Sequence, residues 1–238
     1  MSCTPKVDAA RAASRLDLQG SRRELAGVKL FNYWRSSASY RARLALAFKE
    51  LPYEYIAVNL LKGEQHQSEH LARNPWHSVP VLQLDSGELI PQSVAIVEYL
   101  EETFTSKPLF PKNAVDRARM RALVETVNSG TQPLHNLQVL NYVKDALGAD
   151  AKAWSEKWIG QGLTALEAMS KSTAGTFLIG DSFTFADAAL LPQLYASRRF
   201  ATVDAERYPT LLRVETHCLS LDFVQKARPE NQPDAVNS

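Results

Sequence analysis

Strand-forming segments are confined to the first part of this chain, and this restricts its architecture more than any other feature. Between Gly27 and Phe104, short apolar or alternating runs predict strands, with helical patterns between them. From Ala114 onward, strand signals disappear and helical periodicity takes their place. The intervening residues 105–113 contain two prolines and are typical of a linker. We therefore predict an α/β N-terminal domain over 27–104 and an all-α C-terminal domain over 114–238.

The N-terminal domain is predicted to have the order βαβ, β-hairpin, helix. The two strands of the βαβ unit should be parallel, with a right-handed connection, and the hairpin should turn at Asp85–Glu88. Pro80, the second residue of its strand, requires either a sheet edge or a cis peptide bond. Ser93 is expected to cap the last helix. The predicted strands are Val28–Phe31, Pro52–Val58, Val79–Leu84 and Leu89–Ile90, and the main helices are Ala38–Glu50 and Val94–Glu102.

The C-terminal domain shows helical periodicity in Asp116–Asn128, Gln138–Leu147, Asp150–Ser170 and Thr184–Arg199. At the start of the last segment, Thr184 and Asp187 match the Thr-x-x-Asp form of a capping box. This predicts that they nucleate a buried helix. Pro192 falls inside that helix and is expected to kink it.

The charge balance and the cysteine content restrict the class of protein. The 238 residues include 27 lysines and arginines and 26 acidic residues, and a net charge of +1 favours neither nucleic acid nor an anionic membrane surface. No apolar run is long enough to span a bilayer, and the two cysteines are Cys3 and Cys218. We therefore expect a reducing, cytoplasmic compartment.

Residues 1–26 are predicted to form a flexible N-terminal tail, because they contain many small and charged residues and no helix or strand boundary signals. Their arginines and serines leave open an alternative, an organelle-targeting peptide. Asp8, Asp17 and Glu24 argue against it, because such peptides contain few acidic residues.

Two serines follow the first predicted strand, at the start of the next helix. Ser36 and Ser37 can cap the first free backbone N–H groups of this helix. The same N–H groups and the helix dipole favour an anion, which in a thiol-dependent enzyme is a thiolate. Caps without any further role are the simpler interpretation of these two residues alone.

Two other motifs are interpreted as coincidental. His66-Gln-Ser-Glu69-His70 matches a zinc-binding pattern, but it lies in a polar segment without an obvious third ligand, so we predict no metal site. Gly160-Gln-Gly162 resembles part of a dinucleotide-binding fingerprint, but the residues before it are helical rather than strand-forming. A close helix–helix contact is the better interpretation of these glycines.

Short motifs spread over about residues 28–234 carry a resemblance to a known family. They are Ser36-Ser37-x-Ser39-x-Arg41-x-Arg43, Asn74-Pro75, Val79-Pro80, Gln92-Ser93, Gln132-Pro133-Leu134-x-Asn136, Gly180-Asp181, Ala186-Asp187 and Tyr208-Pro209. In these motifs the chain resembles the cytosolic glutathione transferases. Within them it is similar to the zeta class, which contains maleylacetoacetate and maleylpyruvate isomerases.

The resemblance implies the cytosolic glutathione transferase fold, with a thioredoxin-like N-terminal domain, a homodimer and glutathione as cofactor. It implies that Ser36 activates the glutathione thiol, that Ser37 adds to the field holding the thiolate, and that the Val79 backbone pairs with the cysteinyl main chain. The further positions implied to contact glutathione are Gln65 at the glycyl end, Gln92 and Ser93 at the γ-glutamyl carboxylate, and Gln132 and Asn136 in the helical domain. For the last two, a contact across a dimer interface is one alternative.

The implied reaction is the glutathione-dependent cis–trans isomerisation of maleylacetoacetate to fumarylacetoacetate, a step of tyrosine and phenylalanine catabolism. The thiolate adds to the double bond, the resulting single bond rotates, and the thiolate leaves. Arg35 and Arg199 match family arginines that would hold the substrate carboxylates and the developing enolate. A surface arginine at a helix end is the alternative interpretation of Arg199.

The chain departs from the family pattern at Ala38, where many zeta-class enzymes have cysteine. This argues against reductive dehalogenation with a protein thiol, but it leaves isomerisation intact, because glutathione provides the nucleophile. Three alternatives stay open: a maleylpyruvate isomerase of gentisate breakdown, a zeta-class transferase acting on α-halo acids, and a non-catalytic module with this fold.

Overall fold

A computed structural model describes residues 27–236 of the chain. The predicted N-terminal tail, residues 1–26, lies outside the described residues. The chain forms two compact units: the first extends to Pro108 and resumes at Lys226, and the second comprises Leu109–Gln225. The domain limits inferred from the sequence, with a linker at 105–113, stay predictions. They differ from this division because the residues from Lys226 onward belong to the first unit.

The first unit contains a mixed four-stranded sheet with the strand order β2-β1-β3-β4. β1 and β2 pair in parallel, whereas β3 is antiparallel to both β1 and β4. These pairings confirm the predicted βαβ unit and the hairpin, and with them the α/β thioredoxin-like domain. The strands are β1 (Lys29–Asn32), β2 (Glu54–Ala57), β3 (Val81–Gln83) and β4 (Leu89–Pro91).

Helices α1 (Ser37–Phe48), α2 (Ser68–Arg73) and α3 (Ser93–Thr103) complete this part of the first unit. α1 and α3 pack on each other, and each buries apolar side chains fully, among them Leu44, Leu46, Ile96 and Leu100. The peptide bond between Val79 and Pro80 is cis. The sequence left open whether Pro80 lies at a sheet edge or follows a cis bond. The cis bond is the one that occurs, and β3 lies between two other strands rather than at an edge.

The second unit is helical, which confirms the predicted all-α part of the fold. Its helices are α4 (Ala114–Asn128), α5 (Leu137–Asp145), α6 (Ala151–Ser170), α7 (Phe185–Ser197) and α8 (Pro209–Leu219), and α9 (Asp222–Ala227) continues into the first unit. The helical periodicity identified in the sequence did not include α8 and α9. None of the helices within residues 27–236 is long and apolar enough to cross a membrane.

The predicted capping box at the start of α7 is confirmed. The Thr184 hydroxyl accepts a hydrogen bond from the Ala186 amide, and the Asp187 carboxylate accepts from the Thr184 amide at 2.8 Å. The other carboxylate oxygen of Asp187 accepts from the Leu178 amide, also at 2.8 Å. This carboxyl therefore fixes both the first turn of α7 and the loop before it. The kink expected at Pro192 stays a prediction.

The two glycines of α6 differ in their surroundings. A Cβ atom on Gly162 would lie 2.1 Å from Thr131 Oγ1, whereas a Cβ atom on Gly160 would meet nothing within 4 Å. The close contact expected for this motif therefore occurs at Gly162, and it is made with the residue before a 3₁₀ turn rather than with a second helix.

We expect Gly162→Ala to lower the free energy of unfolding by about 1–3 kcal/mol, because Thr131 is buried and cannot move aside. Gly160→Ala, two positions earlier in the same helix, should instead raise it by about 1 kcal/mol, because alanine has the higher helix propensity. Urea denaturation of both variants tests this pair. Equal effects of the two substitutions would contradict it.

Candidate functional site

Ser36 occupies the N-cap of α1, as the sequence predicted. Its hydroxyl oxygen accepts a hydrogen bond from the Ser39 amide at 3.2 Å, and its own amide donates to the Tyr33 carbonyl at 3.1 Å. A serine hydroxyl that accepts one bond still has its proton to donate. Ser37 is the first residue of the helix. Ser36 therefore combines an available donor with the positive end of the helix dipole.

Arg35 lies in the turn that connects β1 to α1, directly before Ser36. The side chain is half-buried, and its guanidinium lies 5.4 Å from the centre of the Trp34 ring. This places a permanent positive charge next to the helix N-terminus.

Within residues 27–236, the turn before α1 and the first turn of this helix contain no cysteine. Ala38 lies in the first turn of α1, and Cys218, the cysteine within residues 27–236, is fully buried in α8 of the second unit. Burial raises the pKa of the Cys218 thiol well above its usual range, and the nearby Asp187 and Glu215 carboxylates raise it further. Cys218 is therefore inert as a nucleophile.

The strand pairings bring three of the predicted contact segments to one edge of the sheet. Phe31 of β1 pairs with Val81 of β3, and Val81 pairs with Pro91 of β4. The residues that follow β1, precede β3 and follow β4 therefore lie at this edge. Among them are Ser36, Val79 and Gln92.

The loop before β3 is fixed by two buried polar side chains. The Asn74 amide donates to the Ser78 carbonyl at 2.8 Å, and His70 Nε2 lies 3.0 Å from the same oxygen. The Val79 side chain packs in the apolar cluster that also contains Tyr33 and Trp34. These contacts hold the Val79 backbone beside the turn that precedes Ser36.

Ser93 is not the N-cap of α3, so this detail of the sequence interpretation was wrong. Gln92 occupies the cap position without a side-chain cap bond, and Ser93 is the first residue of the helix. The Ser93 hydroxyl instead accepts a hydrogen bond from the Arg41 guanidinium at 2.9 Å, and both side chains are buried. A fixed cation thus reinforces the positive end of α3, which favours a carboxylate there.

Gln92 has an unusual backbone conformation, with a φ of 72°. A residue other than glycine rarely adopts this region, and such strain persists where the surrounding structure requires it. The side chain of Gln92 is exposed, next to the buried Ser93–Arg41 pair. The conformation therefore presents this amide to solvent at the sheet edge.

Gln65 lies in a 3₁₀ turn, Glu64–His66, of the first unit. Its Oε1 atom is buried and has no hydrogen-bond partner within residues 27–236. A buried amide oxygen without a partner is costly, which indicates a position suited to a polar ligand group.

The two histidines of the zinc-like motif have different contacts. His70 contacts Ser78, whereas His66 Nδ1 lies 3.2 Å from His77 Nδ1. No group of three potential metal ligands occurs in the described part of the chain.

The remaining predicted residues belong to the second unit. The Gln132 side-chain amide donates to Asn136 Oδ1 at 3.2 Å, and the 3₁₀ turn that contains Gln132 ends at His135. Arg199 is exposed, and its guanidinium lies 5.3 Å from the centre of the Phe200 ring. His135 connects these groups, because its ring lies 5.9 Å from the Phe200 ring.

His135 was not singled out from the sequence, although it directly follows the Gln132-Pro-Leu motif. It is buried and is hydrogen-bonded to Gln193 of α7. Burial lowers its pKa, and the positive charge of Arg199 lowers it further. A neutral imidazole therefore lies beside Arg199 near neutral pH, and the guanidinium carries the positive charge of this pair.

Arg198 differs from its neighbour. It forms a two-pronged ion pair with Glu215 of α8, at 2.6 and 2.5 Å. Both arginines are exposed, and the ion pair of Arg198 connects the end of α7 to α8. The substrate role implied for Arg199 stays a prediction.

The chain is similar to known proteins in sequence and in fold. The family model described as the N-terminal domain of glutathione S-transferase matches residues 26–102. A maleylacetoacetate isomerase of Dictyostelium discoideum is 43% identical over 210 residues, which cover 87% of this chain and 95% of that protein.

Two solved structures are also similar. The crystal structure of maleylacetoacetate isomerase from Anaeromyxobacter dehalogenans 2CP-1, with dicarboxyethyl glutathione and citrate in its active site, has a TM-score of 0.81 and 47% identity, covering 89% of this chain and 98% of that one. The holo structure of a maleyl pyruvate isomerase, a bacterial zeta-class enzyme, has a TM-score of 0.83 and 39% identity, covering 87% and 100%. On this similarity over nearly its whole length, the chain belongs to the zeta-class glutathione transferase family, which includes the maleylacetoacetate and maleylpyruvate isomerases.

Proposed function

We propose that this protein is a glutathione-dependent cis–trans isomerase that converts maleylacetoacetate to fumarylacetoacetate. The observation that carries the proposal is the alignment of Ser36, Val79 and Gln92 at one sheet edge, between the N-termini of α1 and α3. Tyrosine and phenylalanine catabolism, a homodimer and a cytoplasmic location are parts of the same proposal.

The residues at this edge fit glutathione from end to end. The γ-glutamyl carboxylate suits Gln92 and Ser93, where the α3 N-terminus and the buried Arg41 favour a negative charge. The cysteinyl main chain suits the Val79 backbone, and the buried Oε1 of Gln65, an acceptor, suits the N–H group at the glycyl end. We assign Gln132 and Asn136 to a further glutathione contact, made across a dimer interface.

Bound glutathione supplies the thiolate that adds to the double bond of the substrate and leaves again after rotation. Ser36 donates its hydroxyl to the sulfur, and the first-turn N–H groups of α1 with Ser37 lower the pKa of the thiol. Arg35 and Arg199 hold the two carboxylates of the substrate and stabilise the negative charge that develops on its oxygen.

The test is isomerisation of maleylacetone and of maleylpyruvate, each with and without glutathione, followed by loss of the enedioate absorbance. We expect turnover that requires glutathione, with maleylacetone preferred. Preference for maleylpyruvate would identify a maleylpyruvate isomerase. Glutathione binding without isomerisation would favour a transferase for α-halo acids, and the absence of glutathione binding would favour a non-catalytic module.

Arg199→Ala should raise the Michaelis constant for the dicarboxylate about 10- to 100-fold, because a charge-assisted hydrogen bond to a carboxylate is lost. The affinity for glutathione should change little. Arg207→Ala is a matched control, since Arg207 is also exposed and its guanidinium lies 5.2 Å from the centre of the next ring, Tyr208. Similar Michaelis constants in the two variants would show that Arg199 does not contact the substrate.

A further inference from the structure

The C-terminal segment, residues 226–236, belongs to the first unit and contacts the turn that carries Arg35 and Ser36. After α9 ends at Ala227, the chain forms a 3₁₀ turn over Pro229–Asn231. Ala235 then packs against the apolar cluster that contains Tyr33 and Trp34. The segment therefore lies against the connection between β1 and α1, the part of the site where the thiol is expected to be activated.

Arg43 is the first link between this segment and the turn. Its side chain is fully buried, and its guanidinium donates to the carbonyls of Tyr33 and Trp34 at 3.3 and 2.8 Å. The same guanidinium donates to the Ala227 carbonyl of the C-terminal segment at 3.1 Å. One rigid, planar group thus connects α1, the turn and the end of the chain.

Asp234 is the second link. One carboxylate oxygen accepts a hydrogen bond from the Trp34 amide at 3.2 Å, and the other accepts from the Tyr55 hydroxyl of β2 at 2.5 Å. Burial and this hydrogen bond raise the pKa of Tyr55, so its hydroxyl keeps the proton that it donates. Tyr55 of the sheet therefore fixes the Asp234 carboxylate, and this carboxylate fixes the backbone between β1 and α1.

Together the two links fix both sides of Trp34. Its amide is held by Asp234 and its carbonyl by Arg43, so the peptide units before and after Trp34 are both restrained. Arg35 and Ser36 follow directly. Because a misplacement of about 1 Å at a reacting group can cost up to about 100-fold in rate, this restraint bears on catalysis.

We propose that Asp234, through its contacts with Trp34 and Tyr55 and together with Arg43, is a positioning residue for the turn that presents Arg35 and Ser36. Its catalytic consequence rests on the proposed isomerase function. Asp234, nearly 200 residues from this turn in sequence, thereby helps to place the thiol-activating hydroxyl.

Asp234→Ala in the full-length chain tests the proposal. We expect faster hydrogen exchange at the amides of Trp34, Arg35 and Ser36, with α3 unaffected. The turnover number should fall about 10- to 100-fold, and the pKa of the glutathione thiol, measured by its thiolate absorbance in the binary complex, should rise. Glutathione affinity should change less, because Val79, Gln92 and Ser93 are held by other contacts.

Two further variants separate positioning from loss of stability. Tyr55→Phe removes one of the two contacts of Asp234 and should cause a smaller change of the same kind. Lys49→Met removes buried hydrogen bonds after the other end of α1, to Glu101 and to the carbonyls of Phe104 and Lys107, without touching the turn. It should lower stability while leaving the thiol pKa and exchange in the turn unchanged.

Unchanged exchange in the turn of the Asp234→Ala variant, or the same thiol pKa and turnover as in Lys49→Met, would overturn the proposal. If the unmodified protein does not isomerise enedioates, the proposed function fails. In that case hydrogen exchange and the thiol pKa still decide whether Asp234 positions the turn.

Discussion

Replacing Ser36 with alanine is expected to lower the turnover number about 100- to 1,000-fold, while the affinity for glutathione changes less than about tenfold. The hydroxyl is needed most when the sulfur carries negative charge, and removal of one such preorganised donor typically has an effect of this size. Steady-state kinetics at saturating glutathione, with the thiol pKa measured by thiolate absorbance, checks the expectation.

The controls for Ser36 separate catalysis from helix capping. Ser36→Ala also removes the N-cap of α1, which should cost about 1 kcal/mol of stability. Asn113→Ala removes another N-cap, that of α4, where Asn113 Oδ1 accepts from two backbone amides. It should have a comparable stability cost and unchanged turnover. Ser36→Thr keeps a hydroxyl and should retain part of the activity. An unchanged turnover number in Ser36→Ala would exclude Ser36 as the activating group.

Asp187→Ala is expected to lower the free energy of unfolding by about 3 kcal/mol at pH 7. The carboxyl is fully buried and accepts hydrogen bonds from the Leu178 amide and from the amide and hydroxyl of Thr184, so its removal leaves three buried donors without partners. Urea denaturation followed by circular dichroism measures the loss.

Asp181→Ala is the matched control, because Asp181 also accepts bonds from an amide and a hydroxyl, both of Thr176, but is exposed. Its substitution should have a much smaller effect. Equal losses of unfolding free energy in the two variants would show that the burial of Asp187 does not increase its contribution to stability.

The pH dependence gives a second check on Asp187. Burial raises its pKa from the usual 3.8 to about 6. The folded chain therefore binds this proton more tightly than the unfolded chain, and the additional stability that comes with the bound proton is lost as the pH rises through about 6. The hydrogen bonds that the ionised carboxylate accepts are still made at pH 7. The difference between the unmodified protein and Asp187→Ala should be about 1 kcal/mol larger at pH 5 than at pH 7. A difference of the same size at pH 5 and at pH 7 would show that the carboxyl is charged throughout this range.

The sequence predicted those features that depend on neighbouring residues. The Ser36 cap and the Thr184–Asp187 capping box were identified because each involves groups within three residues of one another. The order of strands and helices followed from hydrophobic periodicity for the same reason. α8 was missed although its signals are also local: Pro209 at its first position, and Leu211, Val214 and Cys218 on its buried face.

The candidate glutathione positions came from family motifs, and strand pairings that no local pattern contains place Ser36, Val79 and Gln92 near one sheet edge. Ser93 illustrates the limit. Its position before the predicted helix suggested a cap, but its hydroxyl accepts a hydrogen bond from Arg41, 52 residues earlier. Burial decided this, because a guanidinium without solvent must find acceptors wherever packing supplies them.

By itself, then, the sequence determined the order of strands and main helices up to α7, the two helix caps and the family of this protein, since each is encoded in short spacings along the chain. Tertiary structure alone decided that Pro80 follows a cis bond just before β3, that Gly162 contacts Thr131, and that Asp234 holds Trp34. These outcomes join residues far apart in sequence. Buried polar groups select such partners by their distance in the folded chain, and side-chain periodicity carries no record of that distance.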